Sequence, residues 1–210
     1  MPTKPDVTTK LDLKKMYKHL YQPPKRFELV EVPALQFIML DGRGDPNTSP
    51  AFAAALQALY ALSYTLKFAL KKAEGLDYPV MALEGLWWAE DMETFLSGDK
   101  SSWLWTLMIL QPEAVTPAWF EEARRLAAKK VPAELLAQAR LEPYAEGLSA
   151  QIMYTGPYSA EGPTIAALHQ FIADQGLRLR GKHHEIYMSD FRRTPPEKLL
   201  TVIRQPAEGG

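Results

Sequence analysis

Cysteine is missing from this sequence of 210 residues, and neither sign of charge prevails. Without cysteine, the chain can form no disulfide bond, no thiolate nucleophile and no cysteine-ligated zinc or iron–sulfur centre. The 24 Lys and Arg residues against 25 Asp and Glu residues give a formal net charge of -1, so there is no basic surplus to hold a nucleic-acid backbone. Direct binding of DNA or RNA is therefore not expected.

Long apolar runs are lacking as well. No stretch reaches the roughly 18 uncharged apolar residues that predict a membrane span, and the lysine-rich segment from Met1 to Lys15 has no apolar core of a signal peptide. Together with the missing cysteines, this favours a cytoplasmic protein with no membrane partner. With 47% hydrophobic residues, the chain can bury a sizeable core, and its length fits one large domain or two small ones.

Motifs for common cofactors and nucleophiles are also missing. The segment Gly42-Arg43-Gly44-Asp45 lacks the glycine and lysine that complete a phosphate-binding loop, and no nucleophile elbow is present. His183 and His184 are adjacent, so on a strand they face opposite ways and cannot hold one metal ion together. The sequence therefore predicts neither a cofactor nor a metal site.

What is present is a repeated pattern. Ile38-Met39-Leu40-Asp41-Gly42 recurs as Ile152-Met153-Tyr154-Thr155-Gly156, and each is an apolar run ended by a turn glycine, as at the end of a strand. In the first copy Ser49-Pro50 then predicts the start of a long amphipathic helix. In the second copy the apolar spacing from Thr164 to Ile172 predicts a shorter one.

Two further strands are predicted after each helix: Val80 to Trp88 and Trp103 to Gln111 in the first copy, His183 to Ser189 and Leu199 to Gln205 in the second. The last strands end alike, at Gln111-Pro112 and Gln205-Pro206. The pattern predicts an α+β fold in which a strand–helix–strand–strand unit is duplicated in tandem with pseudo-twofold symmetry. A chance similarity between two unrelated α+β halves is the alternative.

This interpretation predicts one domain over residues 1–210. The first repeat covers about residues 27–112 and the second about 148–207, and connector helices occupy about 113–147 between them. Met1 to Thr9 and Ala207 to Gly210 are expected to be frayed tails.

Tryptophans cluster on two predicted strands of the first copy. Trp103 and Trp105 share one face of their strand, whereas the adjacent Trp87 and Trp88 point to opposite faces. A single tryptophan on a strand most often belongs to the core. For the cluster as a whole, an aromatic wall that stacks a flat or cationic ligand is an equal alternative.

Two glutamates interrupt apolar strands at positions that the repeat makes equivalent, Glu84 and Glu185. Glu185 shares a strand face with His183 and Tyr187, so an acid, an imidazole and a phenol form one row. These are the residue types of general acid–base catalysis. The alternative is a structural carboxylate paired with one of the arginines that follow the strand.

Several short segments together form a specific pattern: Asp12-Leu13-Lys14-Lys15, Val32-Pro33, Asp41-Gly42-Arg43-Gly44-Asp45-Pro46, Leu83-Glu84-Gly85-Leu86-Trp87-Trp88, Gly156-Pro157-Tyr158 and His183-His184-Glu185-Ile186-Tyr187-Met188-Ser189-Asp190. In this pattern nearly the whole chain, from Lys10 to Pro206, resembles the GyrI-like small-molecule-binding proteins. The resemblance implies the tandem fold, a ligand groove between the copies, and a functional carboxylate at Glu185.

The wider group includes effector domains of multidrug-responsive transcription activators. Stand-alone members with the Trp-Trp and His-His-Glu-Ile-Tyr patterns look like hydrolases that open strained cyclopropane rings of DNA-alkylating natural products. Two residues depart from their pattern: Tyr154 stands where a histidine is usual, and Phe191 where a proline is usual. The first departure implies a different substrate range or activity.

The resulting hypothesis is an enzyme in which Glu185 is the general acid or base and Tyr187 is its hydrogen-bonding partner. The pocket residues expected around them are Trp88, Trp105, Tyr154, Glu84, His183 and Met39. The alternative is a binding protein that sequesters or senses lipophilic, often cationic, compounds without changing them. A direct protein partner such as gyrase is not expected, because the sequence has no long acidic or basic patch.

Overall fold

The structure is a computed structural model that describes residues 9–89 and 100–210. Its strands are β1 (Thr9–Lys10), β2 (Glu28–Arg43), β3 (Leu76–Asp77), β4 (Leu83–Trp88), β5 (Leu104–Leu110), β6 (Arg140–Thr155), β7 (Leu177–Leu179), β8 (His183–Tyr187) and β9 (Leu200–Gly209). Its α-helices are α1 (Leu13–Met16), α2 (Lys18–Tyr21), α3 (Pro50–Glu74), α4 (Pro117–Ala127), α5 (Ala133–Gln138) and α6 (Gly162–Asp174).

Six long strands form a closed, barrel-like sheet. Their order is β6-β2-β5-β4-β8-β9, and β9 pairs back onto β6, so the ring has no open edge between these strands. All six pairings are antiparallel. The short strand β7 pairs with the end of β9, and β1 forms a separate parallel pair with β3. A closed sheet leaves few unpaired backbone groups, which stabilises the scaffold of the site.

The two halves of the ring are built in the same way. The order β2–α3–β4–β5 in the first half is matched by β6–α6–β8–β9 in the second, and the halves meet where β2 pairs with β6 and β4 with β8. Ile38 pairs with Ile109 in one half, as Ile152 pairs with Ile203 in the other. The mixed α/β fold is therefore confirmed. That the halves arose by duplication stays a prediction.

Helix α3 begins as its sequence predicts. The Ser49 side chain accepts a hydrogen bond from the backbone N–H of Phe52, and Pro50 occupies the first turn. Gly75 ends the helix at a φ of 68°, which favours glycine. The leucines on one side of α3 are fully buried against the sheet, and each contributes about 1.5–3 kcal/mol to stability.

The sheet has two different faces. One face is covered by helices: Phe52 of α3 packs edge-on against Trp105 at 5.3 Å, and Leu168 of α6 packs against Ile203. Side chains alternate between the two faces along a strand. Glu84 and His184 each precede a residue on the helix face, Gly85 and Glu185, so they point to the opposite face, into the interior of the ring. We call these the helix face and the interior face.

The second repeat begins earlier than the sequence suggested. Strand β6 starts at Arg140, so the connector ends at Ala139, and residues 140–147 pair with β2. This segment contains charged residues and Pro143, which are uncommon in strands, so the sequence did not predict a strand here. Pro143 is tolerated opposite Gln36 in the ladder.

The C-terminal residues are not a frayed tail. Ala207 to Gly209 pair with β7, so the strand continues past Pro206. The carbonyl of Pro206 takes part in this pairing by accepting a hydrogen bond from Arg180 N at 2.9 Å. At the other terminus Thr9 pairs with Leu76, while residues 1–8 of the predicted tail lie outside the described residues. Among the helices of the described ranges, none combines the length and the apolar character needed to cross a bilayer.

Candidate functional site

A groove of about 760 Å³ opens on the helix face, between the two halves of the molecule. On one side it is lined by Phe52 and Tyr60 of α3 and by the residues that lead into β4. On the other side lie Tyr158 and Tyr187, followed by the loop after β8. The rings of these two tyrosines meet edge to face at 5.5 Å. The groove therefore has aromatic walls from both halves.

The predicted row of acid, imidazole and phenol exists, and it meets the groove at Tyr187, whereas His183 and Glu185 are not among the residues that line the groove. His183 Nε2 lies 3.2 Å from Glu185 Oε1, and the Tyr187 hydroxyl donates to Glu185 Oε2 at 2.7 Å. Trp87 Nε1 donates in turn to the Tyr187 hydroxyl at 3.0 Å. Because both oxygens of the Glu185 carboxylate have partners, its orientation is fixed, while 15% of the side chain remains exposed.

The protonation states of this row are set by its own contacts. Burial alone would raise the pKa of Glu185, but the hydrogen bond and attraction of His183, followed by the Tyr187 hydrogen bond, outweigh it and lower that pKa. Burial and the charge of Glu185 raise the pKa of Tyr187 well above its ordinary value. At neutral pH the row therefore presents a carboxylate held by a protonated phenol.

A second carboxyl lies beside the row, and the sequence interpretation missed it. Glu161, at the start of α6, is only 3% exposed. Burial, and then the charge of Glu185, raise the pKa of Glu161 to about 9. No sequence signal could have separated Glu161 from an ordinary glutamate at a helix start, because its neighbours come from other strands.

The interior face holds a different cluster, which we call the interior cluster: Tyr21, Glu84, Glu146, His184 and Arg204. His184 Nε2 lies 3.0 Å from Glu84 Oε2 and its Nδ1 lies 2.9 Å from Glu146 Oε1. Arg204 Nη1 lies 3.1 Å from Glu146 Oε2, and the Tyr21 hydroxyl donates to Glu84 Oε1 at 2.5 Å. All five side chains are buried, and two acids balance two bases.

The charges of the interior cluster support one another. Burial opposes a charge on His184, but the carboxylates of Glu146 and Glu84 outweigh burial and raise its pKa to about 9. Burial likewise opposes the charge of Glu146, yet His184 and Arg204 lower its pKa to about 2. His184 and Glu146 are therefore both ionised throughout the neutral range, and the geometry of the cluster is that of a structural network.

The predicted equivalence of Glu84 and Glu185 is wrong. Leu83 pairs with Ile109, and Glu185 pairs with Ile203, the counterpart of Ile109, so the residue equivalent to Glu185 is Leu83. A shift of one residue moves a side chain to the other face of a sheet. Glu84 accordingly lies on the interior face and does not line the groove.

Two other predicted pocket residues are packed inside the protein. Trp105 is 1% exposed, and its ring fills the space beside Gly42, where a Cβ would lie 2.0 Å from a ring carbon. Met39 is 4% exposed and pairs with Met108 on the interior face. Neither lines the groove.

The remaining two lie closer to solvent. Tyr154 shares the helix face with Glu185, and its hydroxyl donates to the carbonyl of Pro157 at 3.2 Å. Trp88 is half-buried, and Lys182 Nζ lies 3.3 Å from its ring centroid, a cation–π contact. The structure thus brings His183, Glu185 and Tyr187 together, and the ligand-binding roles of all these residues stay predictions. Within the described ranges, no cluster of three His, Asp or Glu side chains is arranged to hold a metal ion.

Comparison with known proteins identifies solved structures of similar fold. A hydrolase from Listeria innocua is 37% identical, with a TM-score of 0.82 over 94% of this chain and 100% of its own. An uncharacterized conserved protein from Listeria innocua is 38% identical, with a TM-score of 0.84 over 94% and 100%. The EcmrR C-terminal domain shares the fold at 12% identity, with a TM-score of 0.54 over 88% and 98%. Among curated proteins, no sequence matches significantly.

The family comparison covers both halves of the ring and most of the residues that line the groove. Residues 25–207 match the sequence profile of the GyrI-like small molecule binding domain. This range begins just before β2 and ends within β9, so it includes every strand of the closed sheet. The chain belongs to the family of GyrI-like small-molecule-binding domains.

Proposed function

We propose that this protein binds small hydrophobic or aromatic, often cationic, organic molecules in the groove and hydrolyses strained cyclopropane-bearing compounds as a detoxifying enzyme. The observation that carries the proposal is the carboxylate of Glu185, held between His183 and Tyr187, the second of which lines a groove with aromatic walls. The 37% identical hydrolase from Listeria innocua supports hydrolysis as the type of reaction.

The geometry suits both binding and ring opening. Aromatic walls stack a flat ligand and fix its position, which lowers the entropic cost of reaching the transition state. An ionised carboxylate can accept a proton from water as that water attacks a carbon of the strained ring. The protonated Tyr187 keeps Glu185 in one orientation, so that the base is already aligned when the ligand arrives.

A direct test is incubation of the pure protein with a cyclopropane-bearing alkylating agent, followed by mass spectrometry. We expect a product heavier by one water molecule, formed only with the protein present. The matched control is Glu197→Gln, which removes an exposed carboxylate that does not line the groove and leaves the row untouched. Unchanged substrate at high enzyme concentration would remove the enzymatic proposal.

The second candidate is a non-catalytic protein that sequesters or senses such compounds. The lowered pKa of Glu185 favours it, because a fixed carboxylate beside aromatic rings attracts lipophilic cations. In that case ligands leave unmodified, and Glu185→Gln weakens the affinity for a cationic dye far more than for a neutral one of similar shape. Fluorescence titration of both dyes against both proteins separates the two candidates.

Other partners are not part of the proposal. The nearly neutral charge gives no support for direct nucleic-acid binding or for gyrase as a protein partner. A supercoiling assay that showed inhibition of gyrase by the pure protein would contradict this expectation.

A further inference from the structure

We infer that the interior cluster holds one wall of the groove, the segment of α1 and α2, and thereby preorganises the groove for its ligand. Tyr21 connects the two, since it lines the groove and its hydroxyl donates to Glu84 Oε1 at 2.5 Å. The groove as the ligand site rests on the proposed function, whereas the attachment of the segment is a property of the free protein.

The segment cannot hold its position by its own helical structure. α1 and α2 have four residues each, and helices of this length are not stable without tertiary contacts. Lys14 of α1 and Tyr21 of α2 line the groove. Leu13, Met16 and Tyr17 line a second hollow of about 190 Å³. The segment therefore lies between two hollows, and contacts elsewhere must fix it.

Three hydrogen bonds link the last three residues of α2 to the closed sheet. Gln151 Nε2 donates to the carbonyl of His19 at 2.8 Å, and Arg204 Nη2 donates to the carbonyl of Leu20 at 2.7 Å. The third is the bond from the Tyr21 hydroxyl. The last carbonyls of a helix have no partner within it, so the first two bonds satisfy groups that α2 cannot satisfy itself.

The sheet residues that make these bonds are themselves fixed. Arg204 is buried, and its Nη1 lies 3.1 Å from Glu146 Oε2. Glu84 is also buried, and its other oxygen lies 3.0 Å from His184 Nε2. Breaking the bond from Tyr21 would leave a buried carboxylate oxygen without its donor, which costs more than the loss of an exposed bond. The cluster therefore favours the one position of the segment that completes the groove wall.

The two faces of the sheet meet at the beginning of β4. Leu83 lines the groove, and the next residue, Glu84, belongs to the cluster. If Tyr21 were loosely held, the ligand would have to order it on binding, and ordering a side chain lowers affinity. The segment contributes no residue to the row, so loosening it should weaken binding rather than slow the chemical step.

A dye titration tests the effect on binding. Tyr21→Phe removes the hydroxyl and keeps the ring, so it separates attachment from contact area. With Nile red, a neutral planar dye, as the probe, we expect a Kd several-fold above that of wild type. The control is Tyr17→Phe, which removes a hydroxyl from the same segment at a residue that lines the second hollow and not the groove.

The Kd of Tyr17→Phe should match that of wild type. Glu84→Gln should raise the Kd as well, and combining it with Tyr21→Phe should raise it little further, because both changes weaken one bond. A Kd that is unchanged in Tyr21→Phe, or raised equally in Tyr17→Phe, overturns the inference.

Thiol labelling tests the attachment without any ligand, because the chain has no cysteine of its own. Leu20 in α2 and Leu66 in α3 are both fully buried. In Leu20→Cys, the addition of Tyr21→Phe should speed the reaction with a maleimide about tenfold, as the loss of a buried bond to a carboxylate implies. The addition of Tyr17→Phe should leave the reaction unchanged.

Leu66→Cys reports the opening of the whole protein. In the Tyr21→Phe background, Leu20→Cys should react faster than Leu66→Cys, because the segment opens while the core stays closed. Equal rates in that background, or no effect of Tyr21→Phe on Leu20→Cys, would show that the cluster does not hold the segment through Tyr21.

Single-turnover kinetics with a cyclopropane-bearing alkylating agent provide a readout that a merely structural role would not move. Tyr21→Phe should lower the rate several-fold at low substrate concentration and much less at saturation, because the row is intact. An equal loss at both concentrations overturns the inference. If wild-type protein binds neither dye nor substrate, the proposed function fails and the preorganising role fails with it. Faster labelling of Leu20→Cys with Tyr21→Phe would still show that the cluster holds the segment.

Discussion

Glu84 and Glu185 lie on neighbouring strands of one sheet, but on opposite faces of it. Glu84 is on the interior face, where His184 and Tyr21 bind it and Arg204 and Glu146 complete a charge-balanced network. The carboxylate of Glu185 is on the helix face, remains partly exposed, and accepts a hydrogen bond from Tyr187, which lines the groove.

We propose that this one scaffold assigns two roles to the same residue type. In the interior cluster each charge is compensated, so its ionisation supports folding and leaves little capacity to react. On the helix face the Glu185 carboxylate is oriented but accessible, and Glu161 beside it lacks a compensating base. Groups that are poised in this way are typical of functional sites. We therefore propose a division between a structural interior face and a functional helix face.

The largest expected effect is a loss of stability from breaking the interior cluster. Arg204→Met removes the bonds of the guanidinium to Glu146 and to the carbonyl of Leu20, so Glu146 loses a compensating charge inside the protein. We expect the free energy of unfolding to fall by about 3–5 kcal/mol, as measured by urea denaturation.

The control for this change is Arg178→Met, which removes an exposed ion pair with Glu208 on the same sheet. An exposed pair contributes about 1 kcal/mol at most. Equal losses in the two variants would show that the interior cluster is not a structural network.

The next effect is on turnover and concerns the two glutamates directly. Glu185→Gln should lower the rate by on the order of a hundredfold or more with the fold intact, because it removes the proton acceptor. Glu84→Gln should keep turnover within a few-fold of wild type and lower stability by about 1–3 kcal/mol, because a buried bond to His184 is weakened. Melting temperatures and single-turnover rates, measured side by side, decide the point. Equal rate losses would mean that the division between the faces is wrong.

The pH dependence of stability should carry the signature of both faces. His184 keeps its proton up to about pH 9 in the folded protein but loses it near 6.5 when unfolded, so its contribution is complete below 6.5 and is lost as the pH rises through 9. Glu146 contributes fully above its ordinary 4.5 and loses its contribution only as the pH falls towards 2. The pKa of Glu161 is also higher in the folded protein, so Glu161 too makes stability fall as the pH rises from 4.5 to about 9.

Urea denaturation of wild type and of Glu161→Gln between pH 5.5 and 9 separates these contributions. Wild-type stability should decline over this range, and the variant should decline less steeply, because only the contribution of His184 remains. A variant with a flat profile would contradict the charge that we assign to His184.

Much of the fold could be predicted because local signals agree with the final structure. The cap at Ser49 and the apolar spacing behind it specify α3 without help from the rest of the chain. Strand β6 was placed too late, because its first half carries Glu142, Pro143 and Glu146 and gains its stability from pairing with β2. The strand at Ala207 was missed for the same reason, since its partner is β7.

The candidate site divides in the same way. Alternation along one strand is enough to place His183, Glu185 and Tyr187 together, and the structure shows that row. The face occupied by Glu84 depends on the register between strands, which short motif matches do not determine to one residue. Glu161 comes to the row only through the packing of α6 on the sheet, so no pattern in the sequence reveals it.

The smallest predicted effect concerns Gly85, which pairs with Glu185 across the ladder and has no side chain on the helix face. A Cβ at this position would lie 2.7 Å from Trp87 Nε1 and 3.2 Å from the Tyr187 hydroxyl, the two atoms whose hydrogen bond positions the row. Gly85→Ala should therefore push these groups apart and lower turnover several-fold, at a stability cost of about 1 kcal/mol. The interior cluster should be unaffected, because the added methyl group points away from it.

Gly162→Ala is the matched control, since a Cβ there meets no atom within 4 Å. We expect the pH dependence of stability to have the same shape in the two variants, offset by that cost, while their single-turnover rates differ. If Gly85→Ala keeps the wild-type rate, the orientation of Tyr187 does not matter for turnover, and the functional face depends on Glu185 alone.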